Sequence, residues 1–79
     1  MQYVTMAAMY PTMTSGKVEE FLVEIGDKVT KGMPVAEIIS EGYFTLLSEY
    51  NGVVKEIYVV EGEYIEVDTP IIEIEEKTE

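Results

Sequence analysis

The sequence predicts an all-β domain, a flattened sandwich or barrel in which two small sheets of about four short strands each are related by pseudo-twofold symmetry. Two observations predict this fold class. The chain repeats itself without a gap, and each copy is rich in β-branched and aromatic residues but is interrupted every few positions by Gly, Pro, Asn or Asp. Such interruptions are typical of short strands joined by turns and leave no room for a helix of useful length.

The repeat appears when the sequence is shifted against itself by 36 positions, which aligns residues 16–38 with residues 52–74. A shift of 40 positions relates residues 3–6 to residues 43–46. The 79 residues therefore form one domain, 1–79, whose halves at about 3–38 and 43–74 are joined by a hairpin at 39–42. Since one small sheet cannot bury its apolar face alone, the halves are expected to pack on each other. Identical residues fall at Gly16/Gly52, Val18/Val54, Glu20/Glu56, Val23/Val59, Gly26/Gly62, Pro34/Pro70, Glu37/Glu73 and Ile38/Ile74.

Each half begins with a predicted strand, at 3–6 and again at 43–46, and a longer strand follows. In this second strand the apolar residues skip one step of strict alternation, at residues 19–20 and at residues 55–56. The skip predicts a β-bulge at the same place in both halves, which turns the apolar residues to one face. This inward set comprises Val18, Phe21 and Val23 in the first half and Val54, Ile57 and Val59 in the second.

Tight turns are expected next, at Gly26 and Gly62, because glycine supplies a positive φ at no steric cost. The last strand of each half begins with a proline, Pro34 or Pro70, where the missing N–H does least damage. Between the halves, Glu41-Gly42 has apolar residues on both sides. We expect it to form an exposed two-residue hairpin tip.

The composition excludes several kinds of function. Sixteen acidic residues oppose five lysines and no arginine, so the net charge is −11, which argues against nucleic acid and anionic membranes as partners. No apolar run approaches the ~20 residues that span a bilayer, and the first residues lack the features of a signal peptide, so a cytoplasmic location is expected. Without cysteine or histidine, only carboxylate chemistry is left to the chain itself.

Neither a metal site nor a catalytic residue is predicted. The five methionines are more typical of core and contact surface than of a soft metal site. The acidic residues of 61–68 and of the tail 73–79 lack the alternating ligand spacing of a calcium loop. Tyr10 and Tyr43 fall in loop or tip positions, where they would suit a protein contact, although packing at the end of the barrel explains them equally well.

These residues resemble the biotinyl/lipoyl domain family, particularly the lipoyl domain of the acyltransferase (dihydrolipoyl transacylase) component of 2-oxo acid dehydrogenase complexes. Residues 4–16 are similar to the opening strand and "PTMTEG" turn of the family, residues 18–27 to its "VKWLVKEGD" and residues 35–38 to its "LAEI". The resemblance implies a flattened eight-stranded barrel-sandwich hybrid of two four-stranded sheets. It also implies lipoate in amide linkage on a tip lysine, in a domain that carries acyl groups and electrons between active sites and is not itself an enzyme.

The hairpin tip departs from the family, whose tip reads Asp-Lys-Ala. Alignment from the first half places Gly42 at the lysine, and a one-residue shift places Glu41 there. Neither alignment supplies a lysine, so we predict that this chain carries no lipoate or biotin and has no cofactor-binding residue. The lysines are Lys17, Lys28, Lys31, Lys55 and Lys77.

Two functions remain open at this point. The first is a non-carrier lipoyl-type domain, whether docking, regulatory, decayed or engineered, with dehydrogenase-complex components or a lipoate ligase as protein partners. The second is a structural or assembly interaction domain of the same fold with no link to acyl transfer. A small carboxylate-dependent enzyme ranks far below both, because so small a barrel suggests no cleft with convergent polar groups. We expect a monomer, with a domain-swapped dimer as the alternative, because a tight hairpin joins two self-complementary halves.

Overall fold

The computed structural model describes residues 1–76, and within that range it contains eight strands and no helix. They form two antiparallel four-stranded sheets: sheet A in the order β1-β8-β6-β3, and sheet B in the order β5-β4-β2-β7. The predicted all-β class is confirmed. Among the described residues there is accordingly no helix long and apolar enough to cross a membrane. The strands are β1 (Gln2–Thr5), β2 (Ser15–Phe21), β3 (Lys28–Val29), β4 (Pro34–Ile39), β5 (Tyr43–Leu47), β6 (Gly52–Ile57), β7 (Tyr64–Glu66) and β8 (Pro70–Glu76).

The two halves of the chain interleave. Each sheet takes two strands from each half, so the expectation that one half forms one sheet is wrong. The halves mix because β1 pairs with β8, β2 with β7 and β3 with β6. Strands four places apart in the chain are equivalent in the repeat. The strands β1, β8, β6 and β3 of sheet A therefore correspond, in the same order, to β5, β4, β2 and β7 of sheet B, which is the predicted pseudo-twofold relationship. Backbone hydrogen bonds as well as side-chain packing therefore hold the halves together.

Both predicted bulges are present. The register shifts between Val18 and Glu20 where β2 pairs with β4, and between Val54 and Glu56 where β6 pairs with β8. Each bulge absorbs the residue that broke the alternation and keeps the apolar side chains on the inner face. The prolines open β4 and β8, as predicted.

Each of the two glycine turns donates a backbone hydrogen bond to the other half of the chain. Gly26 has a φ of 97° and Gly62 a φ of 89°, which confirms the need for glycine at both turns. Gly26 donates its N–H to the Val54 carbonyl at 2.8 Å, and Gly62 donates its N–H to the Val18 carbonyl at 2.7 Å. Each turn is thus fastened to the bulged strand of the opposite half.

The core lies between the sheets and consists mainly of valine and isoleucine. Within the predicted inward set, Val18, Val23 and Val54 are buried. Phe21 and Ile57, which end β2 and β6 beyond the bulges, are only half-buried at the margin of the core, as is Val59. The buried apolar residues are Val4, Met6, Met13, Val18, Val23, Val29, Val35, Ala36, Ile38, Leu46, Val54, Ile65, Ile71, Ile72 and Ile74.

Candidate functional site

The hairpin tip between β4 and β5 is a loop of three residues. Ile39 pairs with Tyr43, which leaves Ser40, Glu41 and Gly42 between them. The Ser40 N–H donates to the Gly42 carbonyl at 2.9 Å. The predicted two-residue tip is therefore wrong by one residue, because Ile39 rather than Ser40 closes the hairpin. Glu41 and Gly42 are both exposed, as expected.

The backbone of the tip decides which position displays a side chain. Glu41, the central residue, has a φ of 58°, in the left-handed region that few non-glycine residues adopt. Gly42 follows with a φ of 154°, a value that disfavours any side chain there. Space is not the obstacle, since the nearest atom to a Cβ added at Gly42 would be a ring carbon of Phe44 at 3.9 Å. Of the two positions named from the sequence, Glu41 is the better placed to present a side chain.

The loop between β1 and β2, residues 6–14, contacts the tip through Tyr10. The Tyr10 hydroxyl lies 2.8 Å from Ser40 Oγ, which itself donates to the Ser15 carbonyl at 2.9 Å. Because the single hydroxyl proton of Ser40 is used there, Tyr10 is the donor in their shared bond. Glu41 Oε2, at 3.4 Å, is a weaker acceptor for the same Tyr10 proton, and the Tyr10 ring packs on that of Phe44 with centroids 5.9 Å apart. These contacts fasten the tip to the loop and to β2.

The contact between Tyr10 and Ser40 is not among the contacts that the sequence predicts. The sequence predicts only that Tyr10 lies in a loop or tip position and that residue 40 belongs to the hairpin 39–42. A signal for the contact was present, because the shift that aligns the halves changes from 40 to 36 positions between β1 and β2. That change means that the first loop, 6–14, is longer than its counterpart at 48–51 and has the length to reach the tip.

A cleft of about 280 Å³ lies beside the tip. Its lining contains the hydroxyls of serine, threonine and tyrosine side chains and one carboxylate, that of Glu41. This arrangement can donate and accept hydrogen bonds, but it does not pair a nucleophile with a base. The lining residues are Tyr10, Thr12, Thr14, Ser15, Ile39, Ser40, Glu41 and Tyr64.

The lysines lie elsewhere. Lys17 is in β2, Lys28 in β3, Lys31 in the loop before β4, and Lys55 in β6, where its Nζ is 3.6 Å from Glu75 Oε1. Lys77 lies outside the described residues. A lipoyl amide needs a primary amine, whereas the tip offers the hydroxyl of Ser40, the carboxylate of Glu41 and no side chain at Gly42. The tip residues therefore do not fit a covalently bound lipoyl group.

Within residues 1–76, one titratable group has a strongly shifted pKa, and it lies directly after β6 of sheet A rather than at the tip. The Tyr58 hydroxyl donates to the carboxylate of Glu73 in β8, and this bond raises the pKa of Tyr58 to about 12. Tyr58 is half exposed, and its ring centroid lies 6.4 Å from that of Tyr3. Across residues 1–76, no group of three or more acidic, histidine or cysteine side chains could hold a metal ion.

Comparison with known proteins agrees with the fold. The family model described as "Biotin-requiring enzyme" (Biotin_lipoyl) matches residues 2–74. The chain is 31% identical over 75 residues to the lipoamide acyltransferase component of the branched-chain alpha-keto acid dehydrogenase complex of Bacillus subtilis (strain 168). That match covers 94% of this chain but 18% of the relative, so the chain spans about a fifth of the relative's length.

A solved structure extends the agreement to three dimensions. The lipoyl domain of the 2-oxoglutarate dehydrogenase complex of Azotobacter vinelandii superposes with a TM-score of 0.72 at 19% sequence identity. The superposition covers 95% of this chain and 99% of that domain. At this identity the likeness is one of fold, and the match of the family model to residues 2–74 assigns the family. The chain belongs to the biotinyl/lipoyl domain family and has the fold of a lipoyl domain.

Proposed function

We propose that this chain is a non-carrier lipoyl-type domain, which binds a protein partner in a 2-oxo acid dehydrogenase system without carrying lipoate itself. The observation that carries the proposal is the tip, where Ser40, Glu41 and Gly42 present no amine. Amide ligation requires an amine that attacks an activated carboxyl group, and the carboxylate of Glu41 cannot take that role. The likeness to the B. subtilis acyltransferase supports the link to acyl-transfer complexes.

Lys17 is the lysine that lies beside the tip in strand register, since it pairs with Ile39. Its side chain points outward from sheet B at the third residue of β2, because Lys17 alternates with the buried Gly16 and Val18. Side chains stand roughly perpendicular to a sheet, so Lys17 projects away from the face rather than along the hairpin. It is therefore a poor substitute for a tip lysine.

The partners that follow from this proposal are proteins: a component of the dehydrogenase complex, or a ligase that recognises the domain without modifying it. Lipoyl domains serve as carriers and not as catalysts, and we extend the absence of catalysis to this chain. The hydroxyl-lined cleft beside Tyr10, which pairs no nucleophile with a base, is consistent with binding rather than chemistry.

The experiment is incubation of the purified chain with lipoate, ATP and a lipoate ligase, followed by intact-mass measurement. The wild-type chain should remain unmodified, whereas Glu41→Lys should gain one lipoyl group because residue 41 already presents a side chain at the centre of the tip. Gly42→Lys should be modified less, since its φ of 154° must change to accommodate a side chain. Glu49→Lys is the matched control, because it makes the same substitution at an exposed residue of the loop between β5 and β6.

A lipoyl group on any native lysine would overturn the proposal. Modification of Gly42→Lys alone would move the carrier position to residue 42. Binding is measured separately, with the dehydrogenase component of the B. subtilis branched-chain complex and with the lipoate ligase as purified probes. Binding to neither would favour a structural or assembly domain with no link to acyl transfer.

A further inference from the structure

Four outward side chains form one line across sheet B, directly below the hairpin tip. Ile39 pairs with Tyr43 on one side and with Lys17 on the other, and Lys17 pairs with Tyr64. We call these four residues, one from each strand, the tip-proximal row. Neighbouring strands lie about 4.8 Å apart, so the row spans roughly 14 Å. Tyr43 and Tyr64, at its two ends, are 75% and 73% exposed.

The pseudo-twofold symmetry shows that the fold does not require apolar side chains at two of these four positions, those of Ile39 and Tyr64. The repeat shift of 36 positions relates Ile39 to Glu75 and Tyr64 to Lys28. Glu75 and Lys28 occupy the equivalent line on sheet A, where both pair with Val53. Charged residues are thus accepted at the same structural positions on the opposite face. The presence of Ile39 and Tyr64 on sheet B is therefore not explained by a requirement of the fold.

Acidic side chains surround the tip-proximal row. Glu41 lies at the tip, and Glu66 pairs with Ser15, the first residue of β2, two positions before Lys17. Glu20 and Glu37, which pair with each other, lie further along β2 and β4 from the tip. An apolar centre with a charged rim is the usual arrangement of a protein-binding surface. Here the rim is negative, and among residues 1–76 it encloses one cation, Lys17.

The strand that borders the row is open to a partner. β5 is an edge strand of sheet B, and its five residues, Tyr43–Leu47, include no charged residue and no proline. Edge strands that avoid pairing with other chains commonly carry such residues. The cleft beside the tip adjoins the row, because Ile39 and Tyr64 are part of its lining, and it is large enough to admit a side chain of a partner. The row therefore has both an accessible strand edge and a cleft next to it.

From this arrangement we infer that the tip-proximal row binds a protein surface in which arginine or lysine side chains surround an apolar or aromatic centre. The inference rests on the proposed function and names the binding surface for it. Charge selects this occupant, because the rim is acidic and the whole chain carries −11. A second copy of the chain would bring the same acidic rim and the same net charge to the contact, so it is disfavoured.

The test begins with a probe that does not depend on the natural partner. Millimolar acetyl-Arg-Phe-Arg-amide is titrated into isotope-labelled protein, and the amide chemical shifts are followed by NMR. Shift changes should concentrate in the tip-proximal row and the lining of the cleft, and they should fade as salt is raised. Acetyl-Glu-Phe-Glu-amide, with the same aromatic centre and the opposite charge, should produce none. Shift changes that are absent, or spread over both sheets, would overturn the inference.

The variant Ile39→Glu/Tyr64→Lys places on sheet B the two residues that sheet A carries at the equivalent positions, and it leaves the net charge unchanged. It should fold like the wild type and lose the peptide-induced shifts. The control, Tyr3→Ser/Tyr58→Ser, removes two exposed tyrosines from sheet A and should keep the shifts on sheet B. If the peptide contacts survive in the row variant, the inference is wrong.

The purified dehydrogenase component then separates the inference from the proposed function. Its affinity should fall about tenfold or more for the row variant and stay within about twofold for the sheet A control. Equal affinity for the wild type and the row variant would overturn the inference and leave the proposed function standing. If neither this component nor the lipoate ligase binds while the peptide maps to the row, the proposed function fails and the binding surface stands.

Discussion

Replacement of Gly52 by alanine is expected to destabilise the domain more than the same change at Gly16, its equivalent in the repeat. A Cβ at Gly52 would lie 2.2 Å from the carbonyl oxygen and 2.9 Å from the carbonyl carbon of Glu75. Those atoms belong to the backbone of β8, which can move only if its pairing with β6 changes. At Gly16 the obstacles are side chains, Ile38 Cγ2 at 2.7 Å and Met13 Cε at 3.0 Å. The end of a methionine side chain can rotate away at little cost.

The size of the effect follows from these distances. The optimal separation of non-bonded heavy atoms is near ~3.5 Å, so removing the steric clash of a Cβ at residue 52 requires β6 and β8 to separate by roughly 1 Å. Overpacking lowers the free energy of unfolding by about 1–3 kcal/mol in general. Because the obstacle at residue 52 is backbone, we expect a loss of ~3 kcal/mol or more for Gly52→Ala, compared with ~1 kcal/mol for Gly16→Ala. For a domain of this size, 1 kcal/mol corresponds to about 4–8 °C in Tm. The expected loss for Gly52→Ala is thus at least ~12 °C.

The measurement is urea and thermal unfolding of both variants and the wild type, followed by circular dichroism. The free energy of unfolding should rank wild type above Gly16→Ala and Gly16→Ala above Gly52→Ala. Losses that agree within about 0.5 kcal/mol would refute the reasoning, because they would mean that the backbone of β8 does not restrict residue 52.

Three further predictions concern stability and titration. Phe21→Ala should lower the free energy of unfolding by ~2 kcal/mol rather than by the ~3–5 kcal/mol expected for a fully buried phenylalanine, because the ring is only half-buried. A loss above ~4 kcal/mol in urea unfolding would contradict the half-buried position of the ring. Absorbance at 295 nm follows the ionisation of tyrosine in the wild type and in Tyr58→Phe. The difference between the two titrations should show one tyrosine that ionises near pH 12. A midpoint near 10, the ordinary pKa of tyrosine, would argue against the bond to Glu73. Since the pKa of Tyr58 is raised on folding, its contribution to stability should be complete below pH 10 and be lost between pH 10 and 12. Sodium chloride should raise the Tm at neutral pH by screening the repulsion within a chain of net charge −11, and a Tm independent of salt would contradict this expectation.

The sequence alone was sufficient for the local structure and for the place of the site. The bulges at Val18–Glu20 and Val54–Glu56 were predictable because an inward side chain must recur at every second position, and one extra residue in each half breaks that period. The turns at Gly26 and Gly62 were predictable because a positive φ favours glycine wherever the turn lies in the fold. The position of the hairpin between the halves was predictable as well, because the repeat that defines the two halves depends only on the order of residues along the chain.

Only the tertiary structure decided which strands pair and what contacts the tip. The alternation of residues determines which face of a strand is buried but not which strand lies beside it, so the interleaving of the halves could not be derived from the pattern. The contact of Tyr10 with Ser40 joins residues 30 positions apart, and it depends on the path of the first loop. Likewise, Tyr43, Ile39, Lys17 and Tyr64 belong to four strands that are scattered along the sequence, and they form one row only because backbone hydrogen bonds set the register of sheet B.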